Sequence, residues 1–162
     1  PRVVVGGPRT VILGFATLYR SYQLAQARQS FGLAENPETI REAYRRAAEN
    51  TSALSQTHLE YGLLLLNDSP ERALNELTKA LSGIDTGEIY LALGQSSKSA
   101  GEDESALRFT EKGVFRWPKY FVGWEQRLHY SDEANRAKIL EEAKRFLNTE
   151  QHAKLAAQFD PR

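Results

Sequence analysis

The residues of this sequence best suited to binding a metal are its three histidines, His58, His129 and His152. None of them belongs to an HExxH motif or to another closely spaced ligand pattern, and the chain has no cysteine that could supply a thiolate. A zinc site would have to draw its ligands from three separate helices. We therefore expect surface or half-buried histidines, and neither a metal site nor a cofactor.

Carboxylate pairs are the other groups that could do chemistry, as general acids and bases. The pairs are Glu102 with Glu104, Asp132 with Glu133, and Glu141 with Glu142. They fall at turns or on solvent-facing helix surfaces, and acids at helix starts interact favourably with the helix dipole. The chain has no GxSxG motif, and its VVVGG segment lacks the further glycines, or the GKS or GKT sequence, of a phosphate-binding loop. The sequence therefore predicts no catalytic residue in this chain.

The charges are balanced in number but not in position. The chain has 162 residues, of which 21 are basic, 21 are acidic and 41% are hydrophobic, as is typical of a globular protein. Residues 1–34 contain Arg2, Arg9, Arg20 and Arg28 and no acid, which leaves 17 basic and 21 acidic residues in the remainder. Four arginines spread over this length do not indicate a basic face, so nucleic acid is not an expected partner.

Two interpretations of the basic N-terminal segment remain open. The apolar run Thr10–Tyr19 is shorter than the ~20 residues that span a bilayer, yet it fits the lower part of a helix that leaves a membrane, which would bring residues 1–20 close to that membrane. The alternative is a soluble amphipathic helix that packs on the next helix through Leu13, Leu18, Leu24 and Ala27. An oligomer formed through Leu13, Phe15 and Leu18 is a further alternative. The chain has no methionine at position 1, so the encoded sequence before Pro1 would discriminate between a membrane protein and a free-standing one.

From residue 35 onward the apolar period is helical and the turns are regularly spaced, and no segment is typical of a strand. Asn36, Asp68 or Ser69, and Thr149 are predicted N-caps, Pro37 and Pro70 occupy first helical positions, and Gly101 suits a left-handed residue after a helix. The predicted helices run from 37 to about 50, 51–66, 70–82, 86–100, 104–116, 119–130 and 132–147, and a last helix follows the N-cap Thr149 and continues through Phe159. The fold class is therefore all-α, with short connections that imply antiparallel helix hairpins.

A repeat appears within the segment YLALGQSSKSAGEDESALRFTEKGVFRWP. Tyr90, Leu93, Gly94, Ala106 and Pro118 have the spacing of the pattern W-x2-L-G-x2-Y, then A, then P. A glycine inside a helix costs about 1 kcal/mol relative to alanine, so Gly94 calls for a packing reason. We expect Gly94 and Ala106 to be the small residues at which the two helices of one hairpin touch.

This unit resembles a tetratricopeptide (TPR) repeat, although Ser97, Thr110 and Gly113 replace the residues of the pattern. The unit before it carries Tyr61, Gly62, Ala73, Leu77, Ala80 and Leu81 in the same order, with a turn one residue shorter. The unit after it is degenerate, because Leu128 and Leu140 stand at the glycine and alanine positions, with Trp124 at the first aromatic position. Ile40, Tyr44 and Ala47 look like the second helix of a still earlier unit. The resemblance implies a short right-handed solenoid over residues 35–162, closed by a capping helix that ends at Phe159.

The resemblance also implies a function, which is to bind a partner protein or peptide on the concave face lined by the first helix of each hairpin. The predicted partner-binding residues on that face are Glu88, Gln95, Lys98, Ser99, Glu125 and His129. The aromatic residues around Pro118, which are Trp117, Tyr120, Phe121 and Trp124, are predicted to pack two hairpins together rather than to form a binding box.

A second resemblance gives an alternative function. A helix leaving a membrane, followed by helical repeats that contain AYRRAAEN and IYLALGQS, is similar to the periplasmic C-terminal region of bacterial O-antigen ligase or polymerase family proteins. In that family the glycan-transferring residues lie in the membrane portion. The resemblance implies a non-catalytic, periplasmic or membrane-associated accessory domain with a glycan as an alternative partner, whereas a free-standing adaptor would also suit the cytoplasm.

Overall fold

The computed structural model describes residues 36–49 and 54–159, and every regular element in that part of the chain is an α-helix. In chain order the helices are α1 (Pro37–Glu49), α2 (Ser55–Leu65), α3 (Pro70–Ala80), α4 (Gly87–Ser99), α5 (Asp103–Arg116), α6 (Phe121–Tyr130), α7 (Glu133–Ala143) and α8 (Thr149–Phe159). The all-α fold class is thereby confirmed. The predictions for residues 1–34 lie outside the described residues. Within the described ranges, no helix combines the length and the apolar character that crossing a bilayer requires.

Each helix packs against the helix before it and the helix after it. The first helices of successive hairpins also touch, since α4 contacts α6 and α6 contacts α8. The hairpins are therefore α2–α3, α4–α5 and α6–α7, with α1 as the second helix of an earlier unit and α8 at the far end. This arrangement is the helical-repeat architecture that the sequence predicts.

The core consists of three apolar clusters in a row rather than one central cluster. The first contains Tyr44, Ala47, Tyr61, Leu65 and Ala73; the second contains Leu59, Leu77, Ala80, Ile89, Ala92 and Leu93; the third contains Val114, Trp124, Leu128, Ile139, Leu140, Ala143, Leu147 and Leu155. Each cluster is shared by neighbouring helices. Every hairpin thus buries the apolar surface of the next one, as expected for a repeat array.

Gly94 lies where α4 comes closest to α5. A Cβ atom built on it would collide with Oγ1 of Thr110 and would lie 3.1 Å from the carbonyl oxygen of Ala106 and 3.2 Å from Nε2 of Gln126. Ala106 and Thr110 are fully buried at this contact. The predicted packing role of Gly94 and Ala106 is confirmed, because any larger side chain at 94 would push the hairpin apart.

The same contact recurs in the preceding hairpin, where a Cβ on Gly62 would lie 2.7 Å from Cγ of Leu77. A second close approach within α4–α5 lies at Gly113, one of the residues that replace those of the repeat pattern. A Cβ on Gly113 would lie 2.7 Å from Cδ2 of Leu91 and 3.1 Å from its backbone nitrogen. Between the two helices Gly101 has a φ of 81°, which confirms the predicted left-handed residue.

The degenerate hairpin is packed with large side chains instead. Trp124 and Leu128 of α6 are fully buried, and the indole Nε1 of Trp124 donates a hydrogen bond to the carbonyl of Pro118 at 2.7 Å. Trp124 therefore packs the turn between α5 and α6, as predicted for the aromatic residues around Pro118. Trp117 differs, because it lies at the surface with its ring stacked on Tyr120 at a centroid distance of 4.1 Å.

Several helix ends differ from the sequence predictions. Asn36 caps α1 as predicted, since its Oδ1 accepts a hydrogen bond from the backbone N–H of Glu38 at 2.9 Å. Helix α3 begins at Pro70, as predicted, but the side chain of Ser69 makes no capping hydrogen bond. Asp68, the other predicted N-cap, forms an ion pair with Arg41.

The second helix of the α6–α7 hairpin is also shorter than predicted. Helix α7 ends at Ala143 instead of Leu147, and the next residues form turns in which the N–H groups of Phe146 and Leu147 bond the carbonyl of Ala143. Helix α6 begins at Phe121 rather than at residue 119 because a turn follows Pro118.

The predicted N-cap of α8 is wrong. Asn148, not Thr149, caps the helix, because its Oδ1 accepts from the N–H of Gln151 at 2.8 Å while its own N–H donates to Oε1 of Gln151 at 3.3 Å. These reciprocal hydrogen bonds have the form of a capping box. Thr149 is the first residue of the helix itself.

The Gly94 contact can be tested by substitution. We expect Gly94→Ala to lower the free energy of unfolding by about 1–2 kcal/mol, because overpacking outweighs the gain in helix propensity. Gly123→Ala is the matched control within α6, since its Cβ would meet side-chain atoms at 3.3 Å or more, and it should be neutral or slightly stabilising. Adding Thr110→Ala to Gly94→Ala should restore part of the loss. Urea unfolding followed by circular dichroism measures all three changes, and equal effects of the two glycine substitutions would contradict the contact.

The cap of α8 gives a second prediction. Asn148→Ala should destabilise the chain by about 1 kcal/mol, whereas Thr149→Ala should have a smaller effect. The same urea experiment compares them. A larger loss of stability in Thr149→Ala than in Asn148→Ala would show that Thr149 is the N-cap, as the sequence predicts.

Candidate functional site

An open groove of about 510 Å³ lies where α4, α6 and α8 meet. Its walls are formed by Gln95, Val122, Glu125, Gln126, His129, Tyr130, Gln158 and Phe159. The first helices of two successive hairpins and the closing helix supply all of these residues. Two of the three helices that form the groove, α4 and α6, are thus those that carry the predicted partner-binding residues.

Gln126 fixes α6 against α4 at the bottom of this groove. Its Nε2 donates to the backbone carbonyl of Leu91 at 2.9 Å and to the hydroxyl oxygen of Tyr130 at 3.4 Å. The same Nε2 lies over Gly94, where a Cβ would approach it to 3.2 Å. Gly94, at which α4 and α5 touch, thus also leaves space for the side-chain amide of Gln126, which holds α6 against α4.

On its other side α6 is held by Arg127. The guanidinium bonds Oε2 of Glu142 in α7 at 2.7 Å, lies 3.4 Å from Oε1 of Glu111 in α5 and covers the ring of Trp124 at 5.6 Å. These contacts join three helices. Because α6 is fixed on both sides, the residues of its groove face keep their positions relative to α4.

The third wall comes from α8. Phe159 meets the imidazole of His129 edge to face, with ring centroids 5.8 Å apart and planes at 83°. Such a geometry is favourable for aromatic pairs. Val122 is 46% exposed beside it, so the groove offers apolar surface next to polar groups.

Tyr130 and Lys98 define one edge of the groove. The ammonium of Lys98 lies 5.8 Å from the centre of the Tyr130 ring and bonds Oδ1 of Asp103 at 2.7 Å. Burial raises the pKa of the Tyr130 phenol, and the hydrogen bond from Gln126 and the charge of Lys98 oppose part of that rise. Lys98 therefore contributes a held positive charge near the groove.

The structure brings together three of the six predicted partner-binding residues, which are Gln95, Glu125 and His129. Lys98 reaches the groove only through Tyr130, and the exposed Ser99 does not line it. Glu88 lies apart from it, in a second surface depression with Asp85, Thr86, Arg116 and Trp117.

Sequence reasoning missed the other five groove residues. Val122, Gln126 and Tyr130 share the helix face of Glu125 and His129 at spacings of three and four, and this spacing is the sequence signal that indicates them. Gln158 and Phe159 are predicted only as part of the capping helix, and no sequence pattern indicates that this helix also borders the groove.

The three histidines lie in different surroundings. Nδ1 of His58 lies 2.7 Å from Oε2 of the buried Glu76, Nε2 of His152 donates to the carbonyl of Leu140 at 3.1 Å, and His129 packs on Phe159. In the described part of the chain, no three His, Asp or Glu side chains are arranged so that they could hold a metal ion. The absence of a catalytic site and of a cofactor stays a prediction.

Comparison with solved structures shows what kind of protein this fold defines. The crystal structure of MamA superposes with a TM-score of 0.63 at 14% identity, covering 92% of this chain and 85% of that chain. A second crystal structure of MamA gives a TM-score of 0.61 at 14% identity, with 88% and 78% covered. The chain thus has the fold of a helical-repeat protein.

A third solved structure indicates which kind of helical repeat this fold resembles. YrrB, described as a TPR protein with an unusual peptide-binding site, superposes with a TM-score of 0.61 at 19% identity, covering 84% of this chain and 66% of that chain. The fold of this chain is therefore TPR-like. No family model matches the sequence, and no curated protein matches it. The resemblance to O-antigen ligase or polymerase proteins finds no support in these comparisons.

The edge of the groove can be tested through the ionisation of Tyr130. Removing the ammonium with Lys98→Gln should raise the pKa of Tyr130 further, because a nearby positive charge favours the phenolate. Lys119→Gln is the control, since no contact joins that exposed lysine to the groove. NMR of protein labelled at tyrosine Cζ follows the titration of the individual phenol. An unchanged pKa in Lys98→Gln would show that the ammonium is not held over the ring.

Proposed function

We propose that this chain is a non-catalytic, TPR-like interaction module that holds a peptide segment of a partner protein in the groove between α4, α6 and α8. The observation that carries the proposal is the groove itself, which combines amides, an acid and aromatic surface on the first helices of successive hairpins. The peptide-binding site attributed to YrrB, whose fold is similar, supports the same kind of ligand.

The chemistry of the groove suits a peptide backbone. The amide groups of Gln95 and Gln158 can each donate and accept hydrogen bonds, as the backbone of an extended peptide requires. Val122 and Phe159 offer apolar surface to a side chain of the peptide, and ligand sites combine such surface with a few polar groups. Glu125 would favour a positive group on the ligand.

The predicted residues outside the groove would serve a longer ligand. Lys98 lies near Tyr130 and already pairs with Asp103, so a carboxylate of a peptide that leaves the groove along α4 would compete with Asp103 for its ammonium. Ser99 and Glu88 would contact such a peptide only at the two ends of α4. The groove residues should therefore contribute most of the affinity.

The experiment selects peptides that bind the immobilised chain from a displayed random library and measures the best of them by calorimetry. Combining Gln95→Ala, Glu125→Ala and His129→Ala should weaken binding by at least about tenfold. The matched control combines Glu71→Ala, Asn75→Ala and Arg145→Ala, which remove exposed side chains outside the groove and should leave affinity unchanged.

Two outcomes would contradict the proposal. Equal losses in the two triple variants would show that the selected peptides bind elsewhere. Saturable binding of purified surface polysaccharide that the groove variant abolishes, without any selected peptide, would favour a glycan ligand instead. Circular dichroism of each variant establishes that its helices are intact before binding is compared.

A further inference from the structure

A second surface depression, of about 430 Å³, lies on the α4–α5 hairpin and shares no residue with the groove. Its lining consists of Tyr90, Arg108, Glu111, Lys112, Phe115 and Arg116. Five of these six residues belong to α5, the second helix of the hairpin. We call this set the α5 basic face.

The apolar part of this face is unusually open to solvent. Phe115 is 80% exposed, the highest value among the large exposed hydrophobic side chains of the described residues. Trp117, which follows at the end of α5, is 45% exposed. Trp117 lines the neighbouring depression with Asp85 and Glu88. An exposed aromatic side chain such as Phe115, rimmed by charges, is typical of interaction surfaces.

The charged part of the face is a row of cations. Arg108, Lys112 and Arg116 are spaced four residues apart, so they project from the same side of α5 at intervals of about 6 Å. Arg116 is paired with Asp85 at 2.6 Å. Glu111, the one acid in the lining, lies 3.4 Å from Arg127.

The other two cations, Arg108 and Lys112, have no acid partner among the residues that the structure describes. In the described ranges, no carboxylate forms an ion pair with Arg108 or Lys112; the contacts of Arg108 are a hydrogen bond to Ser105 at 3.4 Å and the ring of Phe109 at 5.8 Å. Lys112 holds its ammonium 5.7 Å from the centre of the Tyr90 ring. These aromatic contacts orient both cations without neutralising them.

We propose that the α5 basic face binds an acidic peptide segment of a partner protein, with an apolar side chain of that segment against Phe115. Charge complementarity identifies the ligand, because two uncompensated cations one helical turn apart match two carboxylates about 6 Å apart. Asp85 and Glu111 already pair with Arg116 and Arg127, so the positive charge without an acid partner is confined to Arg108 and Lys112, a short stretch that suits a narrow ligand better than a flat anionic membrane. The face is separate from the peptide groove and does not depend on it.

The test uses a panel of fluorescein-labelled twelve-residue peptides that each carry four glutamates around one leucine or phenylalanine. Fluorescence anisotropy should show saturable binding that weakens as sodium chloride is added, because exposed charge pairs are screened. The double variant Arg108→Glu/Lys112→Glu should raise the Kd by at least about tenfold. Phe115→Ser should raise it as well, since the apolar contact is lost.

Matched controls separate this face from net charge and from the groove. Lys138→Glu/Arg145→Glu makes the same change in net charge on α7 and in the turn that follows it, and should leave binding unchanged. The groove variant with alanine at 95, 125 and 129 should also bind the acidic peptides normally, so failure of one proposal is distinguishable from failure of the other. All of the substituted α5 side chains are exposed, so the variants should unfold at the same urea concentration as the parent chain.

Three results would overturn the proposal. One is the absence of saturable binding by any acidic peptide of the panel up to about 1 mM. Another is equal binding of a matched panel in which glutamine replaces glutamate. The third is binding of phosphatidylserine vesicles that Arg108→Glu/Lys112→Glu abolishes while no acidic peptide binds, which would identify a membrane surface as the ligand.

Discussion

The close approach of α4 to α5 at Gly94 is the contact on which the rest of the structure depends. Ala106 and Thr110 fill the space that a side chain at 94 would occupy, and Gln126 reaches over the same glycine to bond the carbonyl of Leu91. One missing methyl group therefore sets the spacing within a hairpin and the position of the next hairpin. The helix propensity lost at a glycine is small compared with the packing that it permits.

From this contact the architecture extends in one dimension. The three apolar clusters lie in a row, and each is shared only by neighbouring helices, so the stability of the chain is the sum of local units and the interfaces between them. The units are not equal. At positions 62 and 94 a glycine lets the facing helix approach closely. In α6 the large side chains of Trp124 and Leu128 occupy the buried face instead. Both solutions bury the hairpin, but the second leaves no repeat motif that a sequence search would recognise.

The sequence predicted the all-α fold, the helix count from residue 37 onward and the Gly94 contact because these depend on local spacing and on small residues at fixed intervals. It failed where the outcome depends on competition between neighbouring groups. Asn148 rather than Thr149 is the N-cap of α8 because Asn148 and Gln151 form reciprocal hydrogen bonds. Helix α7 ends at Ala143 because the following residues form turn hydrogen bonds. Three of the eight groove residues, Gln95, Glu125 and His129, follow from the repeat register, whereas Phe159 enters the groove only through tertiary packing, and their role in binding stays a prediction.

The edge-to-face contact between Phe159 and His129 gives α8 two roles, because the helix that covers the last hairpin is also a wall of the groove. A ligand that touches this wall binds only while α8 is docked, so occupancy and docking must be thermodynamically linked. Ligand would protect the terminal helix from fraying, and any event that detached this helix would release the ligand by the same free energy. Helix α8 would then retain a bound ligand in the groove for as long as it stays docked.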